Sequence, residues 1–256
     1  MEKDLTTLFT GRHLIHLEET SSTNSYLLES LKQRPLPEGA VVRSDNQKAG
    51  RGQAGSRWES DPNKNLLLSF LFYPSFISPQ DIFLVNQSFS LGILDFARHH
   101  LPDPVTIKWP NDIYWKDQKV AGLLIENSIG TSGLSFSILG VGINVNQKVF
   151  SSYLANPTSF INITGKSFDL DELFNSLCSF LEARYLQLKR DGREGISEDY
   201  SASLFGLGVK QLFESKGETF LGRIVDVDKN GKLIVTAETG DAKVFDLKDI
   251  KYPIRS

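Results

Sequence analysis

Residues 105–126 read VTIKWPNDIYWKDQKVAGLLIE and contain two β-prone runs on either side of a turn. Val105–Trp109 and Lys119–Glu126 are rich in branched aliphatic residues, which predicts two strands. Pro110-Asn111-Asp112 supplies typical turn chemistry. Further β-prone runs lie at His13–Leu17, Ala40–Arg43, Leu66–Tyr73 and Ser135–Val145. We therefore expect a β-sheet as the central element of the fold.

Three helices are predicted around this sheet. The run Glu19–Asn24 is rich in helix-capping residues and precedes an apolar stretch, so a helix begins there. Ser78–Asp81 starts a second helix that continues to about His100. The third runs from about Asp169 to Lys189, where apolar residues recur at helical spacing and are expected in the core. They are Leu170, Leu173, Phe174, Leu177, Phe180, Leu181, Tyr185 and Leu188.

From about Gly208 the pattern changes to short alternating segments separated by hairpin turns. The segments are Gln211–Glu214, Phe220–Val227, Leu233–Thr236 and Lys243–Asp246. This pattern predicts a small β-barrel appended to a larger domain, with Gly206-Leu207-Gly208 as the joint. We expect domains at residues 1–207 and 208–256.

Composition excludes several classes of protein. The chain has 256 residues, 40% of them hydrophobic, as in ordinary globular proteins. Its 28 basic and 31 acidic residues give a net charge of −3, so there is no overall basic field for nucleic acid. Cys178 cannot form an intramolecular disulfide and lies among apolar residues, which favours a buried thiol in a reducing cytoplasm. We expect neither a signal peptide nor a membrane span.

The stretch Gly50–Trp58 reads GRGQAGSRW. Its glycines let main-chain N–H groups approach a ligand closely, and its two arginines suit a phosphate or a carboxylate. This composition favours a loop that closes over an anion. Read alone, it is equally compatible with a glycine-rich hairpin turn carrying solvated arginines.

Further motifs give this loop a context. Lys108-Trp109-Pro110-Asn111-Asp112 is followed by the strand Lys119–Glu126 and by Gly140-Val141-Gly142-Ile143-Asn144-Val145, and the triplet Ser22-Thr23-Asn24 precedes them all. In this order the five elements resemble the biotin–protein ligases over most of residues 10–150. The resemblance implies an α+β fold, with a mixed β-sheet flanked by helices of the class II synthetase-like type. It also implies a small C-terminal barrel of the Src-homology type.

The same resemblance implies a two-step reaction. ATP activates biotin to biotinyl-5′-AMP with release of pyrophosphate, and biotin then passes to a lysine of a biotin carboxyl carrier domain. Biotin, ATP and Mg²⁺ are the implied small molecules, with the metal arriving on the ATP phosphates. The implied partner is a biotin-dependent carboxylase, docked by strand pairing at a sheet edge. Such an edge also suits a homodimer.

For biotin, the resemblance points to short polar side chains, the glycine-rich loop and one lysine. These residues are Ser22, Thr23, Asn24, Gln47, Gly50, Arg51, Gly52, Gln53 and Lys108. Short polar groups in an otherwise apolar pocket suit the donors and the acceptor of the ureido ring. Ser22 and Asn24 are equally suited to capping the helix that follows.

Arg51, Lys108 and Asp112 are the predicted catalytic residues. Two anions must approach each other during adenylation, so cations are needed where charge develops. Asp112 is expected to orient Lys108 or the incoming amine, although an Asn-Asp pair after proline is also good turn chemistry. Residues assigned to ATP are Trp58, Asn65, Asn111, Lys119, Gly142 and Asn144. The alternatives are a core aromatic for Trp58, a turn residue for Asn144 and a solvated lysine at 119.

No metal site of protein side chains is predicted, because the histidines at 13, 16, 99 and 100 lack zinc-ligand spacing with cysteine. Two features depart from the pattern of the family. Gln53 stands where many members carry a second arginine, which predicts that the adenylate leaks more readily. The catalytic pattern also starts within about 20 residues of Met1, which leaves no room for a DNA-reading domain and predicts a single-function ligase.

Two other functions remain open. A lipoate– or octanoate–protein ligase would share the fold, although the glycine-rich loop and the Lys108–Asp112 segment resemble the biotin branch. A non-catalytic adenylate-binding regulatory module would be expected to have lost the lysine or the loop, and both are intact.

Overall fold

The computed structural model describes residues 5–130 and 133–252. In chain order its helices and strands are β1 (Leu14–Thr20), α1 (Thr23–Gln33), β2 (Val41–Gln47), β3 (Gly50–Arg51), β4 (Arg57–Trp58), β5 (Leu66–Phe72), α2 (Phe83–His100), β6 (Val105–Lys108), β7 (Asp112–Trp115), β8 (Gln118–Gly130), β9 (Gly133–Ile143), α3 (Phe160–Thr164), α4 (Leu170–Asp191), α5 (Ile196–Ala202), β10 (Lys210–Ser215), β11 (Glu218–Val227), β12 (Leu233–Ala237) and β13 (Ala242–Phe245). The predicted strands and the three predicted helices are present. The sequence patterns missed the ribbon β3/β4, strand β7 and the short helices α3 and α5.

Seven strands form the main sheet in the order β1-β2-β5-β9-β8-β7-β6. The pair β1/β2 is parallel and the other neighbours are antiparallel, so the sheet is mixed, as predicted. All seven residues of β5 are buried, which explains its nearly continuous apolar sequence, because a strand covered on both faces has no solvent side.

Helices cover the two faces of the sheet. In β2, Val41 belongs to the large core cluster with residues of α2 and α4, and its neighbour Val42 packs with Leu27 of α1. Because successive side chains of a strand point to opposite faces, α1 lies on one face and α2 and α4 lie on the other. Gly92 permits the close approach of these two helices, since an added Cβ would lie 3.1 Å from a methyl group of Leu181.

Helix α4 carries most of the predicted apolar stripe into the core. Six of the eight predicted residues are buried, and Leu170 and Phe180 are partly buried against the same cluster. Cys178 is buried within this helix, and burial raises the pKa of its thiol, which is consistent with the predicted inert role.

Strands β10 to β13 form a four-stranded antiparallel sheet in sequential order. This C-terminal sheet contacts the main body, because the indole Nε1 of Trp109 donates to the carbonyl of Gly231, 2.9 Å away. Closure of these strands into a barrel and the domain boundary at residue 208 stay predictions. Within the described ranges, no helix combines the length and the apolar character needed to cross a membrane.

Candidate active site

A cavity of about 520 Å³ collects residues from distant parts of the sequence. Its lining includes most of the predicted site residues: Ser22, Thr23, Asn24, Gln47, Arg51, Gly52, Gln53, Trp58, Lys108, Asn111, Asp112, Lys119 and Gly142. A second cavity of about 240 Å³ adjoins it and is lined by Asn144. Arg57, Trp58, Lys108, Asp112 and Lys119 line both cavities. Three cations therefore lie where the two cavities meet.

The polar wall of the first cavity consists of Ser22, Thr23, Asn24 and Gln47. Ser22 precedes helix α1 and makes no side-chain capping hydrogen bond, so the capping alternative is not what the structure shows. Thr23 and Asn24 are each 3% exposed. The Oε1 atom of Gln47 accepts a 2.8 Å hydrogen bond from the backbone N–H of Thr23. The wall is thus held by bonds that cross from helix to strand.

Two side chains behind the wall complete its hydrogen bonding. Ser69 of β5 lies 2.7 Å from the Thr23 hydroxyl and 2.5 Å from the carboxamide oxygen of Asn24. Glu126 of β8 accepts a 2.7 Å hydrogen bond from the carboxamide nitrogen of Asn24. Sequence reasoning did not assign either residue to the site. Ser69 could have been noticed as the lone polar residue of the run LLLSFLF. Glu126 could have been noticed as the charged residue that ends the strand motif Lys119–Glu126.

The glycine-rich loop is a two-stranded ribbon, with Gly50 opposite Trp58 and Arg51 opposite Arg57. A 3₁₀ turn at Gln53–Gly55 joins its strands. At Gly50 an added Cβ would lie 2.5 Å from the carbonyl oxygen of Trp58, so this register requires glycine. Both alternatives for the stretch describe it in part, since the loop is a hairpin and also lines the cavity.

Arg51 is the link between this loop and the sheet. Its Nη2 atom lies 2.8 Å from Oε2 of Glu126, the oxygen that also accepts from Asn24. The Arg51 side chain is 43% exposed. Such a pair contributes little to stability, so a ligand carboxylate or phosphate can replace Glu126 as its partner at small cost.

The glycines of the Gly140–Val145 motif make room for site residues. An added Cβ at Gly140 would lie 2.4 Å from Oδ1 of Asn24, and one at Gly142 would lie 2.3 Å from the indole of Trp58. A Cβ at Gly122 would also approach that indole, at 3.1 Å. The ring of Trp58 therefore lies flat on strands β8 and β9, and the ammonium of Lys119 lies 5.6 Å from its centroid.

Lys108 ends strand β6 and reaches two phenol rings. Its Nζ atom lies 5.4 Å from the ring centroid of Tyr114 and 5.6 Å from that of Tyr252. Burial is the main cause that raises the pKa of Tyr252, followed by the charge of Tyr114, so this phenol stays protonated at neutral pH. Tyr252 follows the last strand, and its role beside Lys108 had no signal in the sequence.

Asp112 is joined to a different lysine from the one predicted. Its carboxylate pairs with Nζ of Lys119 at 2.7 Å, across the neighbouring strands β7 and β8. Lys119 is thus an ion-paired, half-buried cation and not the solvated lysine of the alternative interpretation. The predicted orientation of Lys108 by Asp112 stays a prediction.

The asparagines assigned to ATP differ in placement. Asn111 lines the first cavity and donates to the carbonyl of Leu123 at 2.9 Å. Asn144 lines the second cavity, where its buried Oδ1 has no hydrogen-bond partner among the described residues. Asn65 lines neither cavity, and its carboxamide is taken up by Val145 and Gln147. Gly50 is likewise outside both linings. Direct contact of Asn65 and Gly50 with a ligand stays a prediction. The hydrogen bonds of Asn65 support the segment Val145–Gln147.

The C-terminal segment also reaches the first cavity, through Leu247, Lys248, Ile250 and Lys251. In the described part of the chain, no cluster of three or more side chains has the composition of a metal site. Asp112 and Glu59 are the acidic residues among the described cavity-lining side chains. A Mg²⁺ ion bound here would therefore depend mainly on the phosphates it accompanies, with Asp112 as the protein carboxylate within the shared region.

Comparisons with known proteins agree with this arrangement. The model of the biotin/lipoate A/B protein ligase family matches residues 17–144, which is half of the chain. The chain is 29% identical over 241 residues to the bifunctional ligase/repressor BirA of Bacillus subtilis, covering 92% of this chain and 73% of that protein. It is 28% identical over 226 residues to the biotin–[acetyl-CoA-carboxylase] ligase of Mycobacterium tuberculosis, covering 87% of this chain and 82% of that enzyme.

Among solved structures, the biotin protein ligase of Aquifex aeolicus in complex with biotin and ATP is similar throughout. Its TM-score is 0.72 at 26% identity, with 94% of this chain and 98% of that chain covered. The sequence match and the shared fold coincide on the strands and turns that form the cavity. This chain belongs to the biotin/lipoate A/B protein ligase family.

Proposed function

We infer that the protein is an ATP-dependent biotin–protein ligase. The observation that supports this inference best is the meeting of two cavities at a group of cations. The polar wall lines the first cavity alone, Asn144 lines the second alone, and Lys108, Lys119 and Arg57 line both. We propose that the biotin ring lies against the polar wall, that the nucleotide occupies the second cavity, and that the reacting groups meet between them.

The first step joins two anions. An oxygen of the biotin carboxylate attacks the α-phosphorus of ATP, the bond from that phosphorus to the bridging oxygen breaks, and pyrophosphate leaves. Negative charge develops on the phosphoryl oxygens. We propose that Lys108, which lines both cavities, stabilises it, together with Arg51 of the first cavity once a ligand anion has replaced Glu126 as the partner of Arg51. Mg²⁺ carried in with ATP would supply positive charge for the departing pyrophosphate, and Asp112 would be the protein carboxylate available to hold it.

The second step transfers the acyl group to an amine. The neutral ε-amine of a carrier lysine attacks the carbonyl carbon of the mixed anhydride, the bond from that carbon to the AMP oxygen breaks, and the amine loses a proton. We propose Asp112 as the group that positions this amine, because it is the one described carboxylate that lines both cavities. Its bond to Lys119 would have to open for it to accept the proton.

We propose a biotin carboxyl carrier domain of a biotin-dependent carboxylase as the protein substrate, in a cytoplasmic setting. Strand β1 is a candidate docking edge, because it ends the main sheet and its last residue lies two positions before Ser22. At the opposite end, β6 is covered by residues 203–205, which exchange backbone hydrogen bonds with Ile107. The same β1 edge suits the predicted homodimer, and sedimentation at several protein concentrations would test it.

The decisive experiment is biotin-dependent exchange of labelled pyrophosphate into ATP by the purified protein. Lipoate and octanoate are tested in parallel at equal concentrations. We expect exchange with biotin only, since the polar wall offers hydrogen bonds that an aliphatic or dithiolane acid cannot use. Exchange with lipoate would move the protein to the other branch of the family, and exchange with no acid would favour the non-catalytic module.

A further inference from the structure

The hydrogen bonds behind the polar wall have a single consistent direction, and it starts at Glu126. The carboxamide nitrogen of Asn24 lies 2.7 Å from Oε2 of Glu126 and 3.4 Å from the carbonyl of Leu124. Both partners are acceptors, so the –NH₂ group of Asn24 must face them. The carboxamide oxygen of Asn24 then faces Ser69, at 2.5 Å.

Ser69 has one proton, and this geometry decides where it goes. A carboxamide oxygen can only accept, so the Ser69 hydroxyl donates to Asn24. The oxygen of Ser69 also lies 2.7 Å from the Thr23 hydroxyl. With the serine proton already used, this second contact needs the proton of Thr23. The Thr23 proton is then not available for the longer contact between the Thr23 hydroxyl and Gln47, at 3.2 Å.

The result is a defined pattern of donors and acceptors on the cavity surface. Thr23 directs its proton inward, so its oxygen offers lone pairs to the cavity. Gln47 has its Oε1 held by the N–H of Thr23 at 2.8 Å, so its –NH₂ group is the part left to donate. Thr23, Asn24 and Gln47 line the cavity, whereas Ser69 is fully buried and supports them from behind.

We propose that Ser69 and Glu126 are positioning residues. They orient the relay of hydrogen bonds that runs from Glu126 through Asn24 and Ser69 to Thr23. The ordered relay makes the wall selective for a cyclic urea that presents a ring N–H to Thr23 and its carbonyl to a donor. The inference rests on the proposed function and deepens it. Neither residue touches the ligand. Each acts by fixing which atom of a neighbouring side chain donates its proton. A ligand whose ring lacks the N–H cannot donate to Thr23, so the direction of these hydrogen bonds does not increase its affinity.

The test compares biotin with an analogue methylated on the ring nitrogens, by calorimetric titration of the full chain. In the wild type we expect the analogue to bind at least tenfold more weakly. Ser69→Ala frees the Thr23 proton from its inward partner. We expect this variant to weaken biotin about tenfold, to leave the analogue within about twofold, and to leave ATP binding unchanged. The dissociation constant of the analogue divided by that of biotin, called the ratio below, therefore falls.

Ser90→Ala is the matched control, because Ser90 is also fully buried and bonded to an asparagine, Asn86, within α2. It should keep the wild-type ratio. Thr23→Val should lower the ratio by itself, and adding Ser69→Ala to it should lower the ratio no further. An independent loss in the double variant would mean that Ser69 acts by packing alone and would overturn the proposal.

Glu126→Ala tests the relay from its other end and decides the matter if Ser69→Ala does not fold. Without the carboxylate, the carboxamide of Asn24 can turn over, so the ratio should fall as in Ser69→Ala. Arg51 also loses its ion-pair partner in this variant, but biotin and the analogue carry the same carboxylate, so that loss affects both ligands and cancels in the ratio. A wild-type ratio in Ser69→Ala, or in Glu126→Ala, contradicts the inference. A wild type that binds no biotin contradicts the proposed function itself.

Discussion

The polar wall and the glycine-rich loop face the same cavity and are built in opposite ways. Thr23 and Asn24 are each 3% exposed and are held by side chains from two other strands. Arg51, in the loop, has a side chain that is 43% exposed and one ion pair to the sheet. The wall is therefore ordered before any ligand binds, and the loop can change partners. We therefore propose that the wall selects the acid and that the loop and the neighbouring lysines stabilise charge.

Removing a cation at the junction should have the largest effect on the reaction. We expect Lys108→Ala to lower biotin-dependent pyrophosphate exchange by about a hundred- to a thousandfold, because a charge-stabilising group of a preorganised site is lost. The melting temperature should stay near that of the wild type, and biotin should still bind the wall. Lys116→Ala is the control, since Lys116 also lies over an aromatic ring, that of Trp115, but outside both cavities. Retained exchange in Lys108→Ala would refute the assigned role.

Two alanine substitutions in strand β9 should separate the wall from the loop. In Gly140→Ala the new methyl group meets the buried Asn24, which cannot leave. We expect a loss of about 1–3 kcal/mol in the free energy of unfolding and at least a tenfold loss in affinity for biotin. Both are measurable by thermal denaturation and calorimetry.

In Gly142→Ala the methyl group meets the indole of Trp58, which belongs to the loop. The loop can lift away, so stability should fall by less than 1 kcal/mol, and the affinity for ATP should fall more than that for biotin. Each variant serves as the control for the other. Equal losses of stability would show that the loop is held as firmly as the wall.

A smaller effect is expected from restoring charge in the loop. Gln53→Arg should slow the release of biotinyl-AMP several-fold, because a cation beside the adenylate adds a charge-assisted contact. Release is measured as free adenylate after a single turnover without carrier. Gln80→Arg adds the same charge at an exposed position outside both cavities and should leave the release rate unchanged. Equal leakage from Gln53→Arg and the wild type would contradict this explanation.

The smallest expected effect concerns salt. Raising the ionic strength should speed amide hydrogen exchange in the loop by up to about threefold, since an exposed ion pair contributes at most about 1 kcal/mol and is screened. Exchange at Thr23 and Asn24 should not change. Mass spectrometry of peptides from the two regions gives the comparison within one sample.

Particular residues show what the sequence could predict. Strand β5 was predicted because a fully covered strand has a nearly continuous apolar sequence, and α4 because its apolar residues recur with the helical period. Strand β7 was missed, because Asp112–Trp115 is only four residues long and its first residue was assigned to the turn Pro110-Asn111-Asp112. The five ordered motifs identified the family, and most of the residues they assigned line one of the two cavities.

Partners across the sheet were beyond the reach of sequence patterns. Asp112 bonds Lys119 because β7 and β8 are neighbours, and a pairing of that kind depends on register. Ser69, Glu126 and Tyr252 come from a central strand, a long hairpin strand and the chain end, and no spacing rule connects them. Asn65 and Asn144 look alike in sequence, yet one supports a turn and the other lines a cavity.

The sequence by itself determined the main strands and helices, the family and the glycine-rich, cationic character of the loop. These properties follow from local periodicity, backbone freedom and side-chain chemistry, which the linear order carries. The tertiary structure alone decided which carboxylate faces which cation, which side chains bond to one another behind the polar wall, why glycine is needed at 140 and 142, and that the C-terminal segment reaches the cavity. Those properties depend on distances between residues far apart in the chain, and the packing of the sheet and helices sets these distances.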